Sequence, residues 1–98
     1  MEKDVEAYVR REVKKMGGLC LKWVCPTRAG VPDRIILMPG GWVCFAEFKD
    51  GDYQPTELQR YWNKTLTRMG FNAAIIRGLE EARVLIKFVR EKVMFDEV

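Results

Sequence analysis

Asp33, Glu47 and Lys49 are the residues of this chain whose types and spacing can do chemistry. Asp33 follows Pro32 and opens one apolar run, Glu47 and Lys49 close the next, and Pro39-Gly40-Gly41 separates the two. Read as two strands joined by a tight turn and folded symmetrically about Gly40, the stretch sets Asp33 directly opposite Glu47. Opposed residues have Cβ atoms about 4.5–5.5 Å apart, near enough for two carboxylates to share one cation. Side chains alternate along a strand, so Lys49 joins Glu47 on that face while Phe48 turns away. Such a set suits metal-assisted hydrolysis of a phosphodiester, whose own negative charge repels nucleophiles. Mg²⁺ or Mn²⁺ accepts one or two carboxylates and keeps several waters, and the backbone carbonyl of Phe48 is a natural third ligand. Lys49 can then orient the attacking water or neutralise charge building on the phosphate.

The bulk properties narrow the choice. At 98 residues the chain has room for a single domain, 1–98, with one core. There is no histidine, which excludes serine or cysteine catalysis with a histidine base, and the three cysteines, Cys20, Cys25 and Cys44, lack a zinc-ligand spacing. A reducing, intracellular location, cytoplasm or nucleoid, is expected. No apolar run approaches the roughly 20 residues of a membrane span, and the charged start, Met1-Glu2-Lys3-Asp4, is unlike a signal peptide. No membrane and no organic cofactor is expected. The net charge of +3 is mildly basic, but its distribution is uneven. Arg10, Arg11, Lys14 and Lys15 cluster before the hairpin, and Arg60, Lys64 and Arg68 recur at helical spacing after it. Flanking an acidic site, these rows gain weight as phosphate contacts over solvated helix faces. DNA contacts are expected from Arg10, Lys14, Arg60 and Lys64, and from Lys22, Arg28 and Arg34 around the hairpin.

The elements that must position the site read in the order α-β-β-β-α-β-α, an α/β fold with a mixed central sheet flanked by helices. Val5, Val9, Val13 and Met16 recur at helical spacing and Gly17-Gly18 ends the helix. Leu19–Val24 is a strand, and the Pro- and Gly-bearing segment from Cys25 to Gly30 a loop. Both hairpin strands are apolar on both faces, which predicts a sheet covered on both sides. A second helix starts at Thr56 with Leu58, Tyr61, Trp62, Leu66 and Met69 as its buried stripe, and Gly70 stops it. Phe71–Arg77 is a fourth strand, parallel to the third across the helix. A last helix, from about Leu79 to Val93, turns Leu79, Ala82, Ile86, Val89 and Val93 inward. Trp23, Trp42 and Trp62 fall in apolar stripes and are expected in the core. Thr56-Glu57-Leu58-Gln59 fits a capping box, in which Gln59 closes the helix start. Glu6 can pair with Arg10 one turn on.

Pro32-Asp33 followed by Glu47-Phe48-Lys49 resembles the PD-(D/E)XK nuclease superfamily, with a helix on either side of the unit. Gly17-Gly18, Lys22, the segment Gly30-Val31-Pro32-Asp33-Arg34, Pro39-Gly40-Gly41, the segment from Phe45 to Lys49 and Gln59 resemble the virus-type replication-repair nuclease (VRR-NUC) family over nearly the whole chain. The resemblance implies a stand-alone, metal-dependent, structure-selective DNA endonuclease acting on branched DNA, four-way (Holliday) junctions foremost, as a homodimer of the kind bacterial viruses encode. It also implies that Glu6 lies near the metal and that Gln59, ten residues beyond Lys49, belongs to the site.

Two readings stand against this one. A non-catalytic nucleic-acid-binding module on the same fold would have no saturable metal site, and an adaptor docking a protein would bind no DNA. Within the nuclease reading, a monomer would suit flaps or nicks, whereas symmetric incision of a four-way junction needs two active sites. The Cys25–Gly30 loop and the apolar helix surfaces are the candidate interfaces.

Overall fold

A computed structural model describes residues 1–96. The elements are α1 (Glu2–Lys15), β1 (Leu19–Lys22), β2 (Arg34–Leu37), β3 (Val43–Lys49), α2 (Glu57–Arg68), β4 (Asn72–Arg77) and α3 (Gly78–Asp96), in the order expected. The strands form one mixed sheet in the order β1-β2-β3-β4. The first three are antiparallel, and β4 runs parallel to β3 after the α2 crossover.

The hairpin register is centred on Gly40. Arg34 pairs with Ala46, Ile35 with Phe45, Ile36 with Cys44 and Leu37 with Val43. The turn holds that register because Met38 N–H donates to Trp42 O at 2.9 Å while Gly40 and Gly41 both adopt φ of 87°. Residues with side chains rarely adopt that conformation, so the Gly-Gly pair fixes both the turn and the pairing beyond it.

One face of the sheet carries the core. Cys20, Ile36, Cys44, Ala46, Phe48 and Ile76 are buried there with Val5, Val9 and Val13 of α1 and Ala82, Ile86, Val89 and Val93 of α3. Each buried Val, Ile or Phe side chain among them contributes about 1.5–3 kcal/mol by leaving water. All three cysteines are free, and no described helix is long and apolar enough to cross a membrane.

The other face departs from expectation. Leu19, Leu21 and Leu37 remain 55%, 46% and 37% exposed, so the β1–β2 end is covered on one side only. With α1 and α3 packed together on the core face, α2 is the one helix left for the opposite face, and it sits over β4. Its stripe is correspondingly thin. Leu66 is buried, Trp62 is half-buried, and Leu58, Tyr61 and Met69 are exposed. Of the tryptophans only Trp42 is buried, whereas half-buried Trp23 stacks at a tilt on Phe45, centroids 5.1 Å apart, on the open face. In α3, Leu85 joins Ala82, Ile86, Val89 and Val93 on the buried side, whereas Leu79, in the first turn, is exposed. β1 ends at Lys22, two residues before the apolar run does.

Candidate active site

Asp33 stands immediately before β2, fixed by its backbone: Trp23 N–H donates to Asp33 O at 2.8 Å, which carries the β1–β2 pairing one step past both strands. Its Oδ1 is buried and has no hydrogen-bond partner among the described residues. Glu47 is the one buried charged residue among the described residues, 5% exposed, on the strand opposite. Lys49 Nζ lies 3.5 Å from Glu47 Oε2 and 4.0 Å from Glu2 Oε1. Two acids and a lysine therefore meet at one end of the hairpin, on the sheet face that the helices leave partly open.

The electrostatics show carboxylates held at a cost. Burial pushes Glu47 up to about 7, the neighbouring Asp33 adds to the effect, and Lys49 only partly opposes it. Burial also raises Asp33, against the pull of Lys49 and Arg34 and with the help of Glu6 and Glu2. For Lys49 burial works downwards, but the negative charge of Glu47 and Glu2, with Tyr53 behind them, outweighs it and raises the ammonium. Both acids thus lack positive charge, which is what a cation supplies.

The other expected members of the site have partners of their own within the protein. Glu6 faces the Arg34 guanidinium, with Arg10 at 3.9 Å, so both Glu6 and the half-buried Arg34 are engaged within the protein. The α1 carboxylate near Lys49 is Glu2, one turn earlier. Gln59 completes the capping box: its N–H donates to Thr56 Oγ1 at 3.1 Å and its Oε1 accepts from Thr56 N–H at 3.0 Å. The same Oε1 accepts the Tyr53 hydroxyl at 2.9 Å, and the Tyr53 ring lies 4.8 Å from Lys49 Nζ. Gln59 therefore reaches the lysine through Tyr53, a residue to which sequence reasoning assigned no role. A tyrosine four residues beyond a site lysine has no periodicity to betray it; only the fold of the 50–55 loop brings the ring back. Gln59→Ala keeps the Thr56 cap on its own N–H but loses the bonds that Oε1 accepts from Thr56 N–H and the Tyr53 hydroxyl. It is expected to cost about 0.5–1.5 kcal/mol per lost bond, read as a lower melting temperature, with a fall in any turnover that Tyr53→Phe reproduces at a smaller stability loss.

No family model matches the chain. It is 32% identical over 84 residues to "Putative nuclease p44" of Acyrthosiphon pisum secondary endosymbiont phage 1, a match spanning 86% of this chain and 90% of that one. Its backbone superposes with a TM-score of 0.80 on a solved "VRR_NUC domain", at 25% identity over 88% of this chain and 94% of the other. The chain belongs to the VRR-NUC family. A second solved VRR-NUC domain protein, 21% identical with a TM-score of 0.66 over 89% of this chain and 85% of its own, shares the fold.

Within this VRR-NUC domain the metal-binding potential rests on few groups. Among the described residues no three His, Cys, Asp or Glu side chains gather into a ready-made cage. Asp33 and Glu47 with a backbone carbonyl and waters instead fit Mg²⁺ or Mn²⁺, which suits few protein ligands, and the unpartnered Asp33 Oδ1 is an oxygen without another assignment. Of the basic residues expected to meet DNA, Arg10, Lys14, Lys22, Arg28, Arg60 and Lys64 are exposed. Arg60 also donates to Pro55 O at 2.7 Å.

Proposed function

We propose that this VRR-NUC domain is a Mg²⁺- or Mn²⁺-dependent endonuclease that hydrolyses phosphodiesters in branched DNA, four-way junctions foremost. The observation that carries the reading is the opposition of half-buried Asp33 and buried Glu47, each carboxyl raised by burial, with Lys49 Nζ 3.5 Å from Glu47. Asp33, Glu47 and the Phe48 carbonyl would hold the cation. When bound, it would offset the phosphate's charge and make water a better nucleophile. Lys49, held between Glu47 and the Tyr53 ring, would offer its ammonium to the charge that develops on the phosphate. With no histidine in the chain, proton transfer falls to carboxylate, lysine or water. Glu6 supports α1 through Arg34 and can turn towards a second ion only by giving up that pair. Exposed arginines and lysines on α1, α2 and the hairpin's flanks would carry the DNA backbone, and two copies of the domain would supply the paired incisions a junction requires. Such an enzyme would work in the cytoplasm or nucleoid, where a phage-borne nuclease meets its DNA.

The test is the purified protein with Mg²⁺ on linear, flap and four-way-junction DNA, alongside a solution mass. Cleavage of the junction by a dimer, abolished by EDTA, is the expected result. Undiminished cleavage in excess EDTA overturns the metal dependence. Binding without any cleavage favours a non-catalytic module, and preference for flaps by a monomer overturns the junction assignment.

A further inference from the structure

Tyr61 is in the wrong place for a core residue. It sits at helical spacing with Leu58 and Trp62, yet it is 57% exposed and Leu58 is 43% exposed. Tyr61 meets the half-buried Trp62 edge to face, centroids 5.4 Å apart at 82°. Trp62 is immobilised in turn, because its Nε1–H donates to Ala29 O at 3.0 Å. The loop carrying Ala29 is locked on the same helix: a Cβ on Gly30 would lie 2.5 Å from Leu58 Cγ. Between loop and helix lies a cleft of about 460 Å³, walled by Leu58, Tyr61 and Trp62 and rimmed by Thr27 and Arg28. That volume falls within the range of small-ligand sites.

On its far side Tyr61 borders a second cleft, of about 450 Å³, along the outer surface of α2. Its walls include Arg60, Lys64 and Arg68, with Glu57 as the single acid. A rigid aromatic platform therefore stands between a nucleoside-sized cleft and a row of cations. The loop that makes the first cleft continues from Gly30 through Val31 and Pro32 to Asp33, so one wall of the cleft, at Ala29, lies four residues along the chain from Asp33 of the acidic pair.

We infer that the Tyr61–Trp62 cleft is a binding site for an unpaired nucleotide of DNA, its base against the Tyr61 ring and its flanking phosphates on Arg28 and the α2 cations. Bases have a π-face whatever their identity, so an aromatic platform beside a basic groove takes single strands without sequence preference. A duplex keeps its bases stacked inside and offers none to Tyr61. The inference rests on the nuclease reading and deepens it: the domain would recognise the unstacked nucleotide at a branch point next to the phosphate it cuts.

The test measures affinity in EDTA, at fixed ionic strength, for a short oligothymidylate and for a duplex of equal length. In the Tyr61→Ala protein the preference for the single strand is expected to fall about five- to a hundredfold, with duplex affinity and melting temperature unchanged. Tyr61→Phe should keep the preference, whereas Tyr61→Lys should lose it despite adding a positive charge. Equal losses on both DNAs, an unaltered preference in Tyr61→Ala, or a Tyr61→Lys protein that binds the single strand as tightly as wild type would each overturn the site. Failure of the wild-type protein to bind oligothymidylate overturns it too and leaves the cleft to a protein partner. Because no step needs metal, a protein that holds single strands through Tyr61 but cuts no DNA would sink the nuclease reading alone.

Discussion

Glu47→Ala and Asp33→Ala are each expected to lower DNA cleavage by at least about a hundredfold, the scale on which removing one preorganised charge-stabilising group acts. Affinity for DNA in EDTA should change little, since the exposed cations of α1 and α2 lie outside the acidic pair. The folded protein should survive as well, because each substitution removes a carboxylate that burial disfavours. Lys49→Ala belongs with them for a different reason. It leaves Glu47 without the ammonium 3.5 Å away, so turnover and the local electrostatic balance should both suffer. Lys49→Met separates the two roles, since it fills the space under Tyr53 without a charge. Circular dichroism and melting curves check folding, and Mg²⁺ titration checks the site independently of turnover. If Glu47→Gln and Lys49→Met cleave junctions at wild-type rates, the trio is only a buried ion pair beside an acid.

How much of this could be read before any coordinates depends on which forces are local. The hairpin was legible because its determinants are: Gly40 and Gly41 take a conformation closed to other residues, and alternation then fixes which side chains share a face. The Gly40-centred register puts Asp33 across from Glu47 by arithmetic. The α1 stripe was equally plain, since Val5, Val9 and Val13 have one large hydrophobic surface to meet. The same reasoning misread α2. Apolar spacing says which residues lie on one side of a helix, but not whether anything covers that side. Here α2 bridges a narrow part of the sheet, so Leu58 and Tyr61 reach past it towards water. The apolar β2–β3 hairpin misled in the same way, because α1 and α3 pack together on one face and leave α2 alone to cover the other. Tertiary placement likewise sets which α1 carboxylate, Glu2 or Glu6, approaches Lys49. Both lie on α1, one turn apart, and the ion pair of Glu6 with Arg34 leaves Glu2 nearer Lys49.

In metal-free protein the stability should fall as pH rises from about 5 to 8. Glu47 has its pKa raised from 4.5 to about 7, so the folded state holds this proton more tightly than the unfolded chain does. Folding therefore gains from the neutral acid at low pH, and that gain is lost as pH climbs through about 7. Asp33 is raised too, chiefly by burial, and acts in the same direction, and its charge helps to lift Glu47, so the two titrations are linked. At about 1.4 kcal/mol per pKa unit, discounted for screening at the open mouth of the site, the loss is on the order of 2 kcal/mol. Melting curves in EDTA across this range measure it, with Glu47→Gln as the reference: that variant should be flatter with pH and the more stable protein at pH 8. Mg²⁺ should stabilise the wild type increasingly above pH 7, where the carboxylates are ionised and free to bind it, and should do little for Glu47→Gln. The two slopes are one effect seen from opposite sides, because the charge that burial makes costly in the empty site is the charge a cation needs. A wild-type protein whose melting temperature rises relative to Glu47→Gln between pH 5 and 8 would mean that Lys49, at 3.5 Å, already neutralises Glu47 and that the acid pair has no call for a metal.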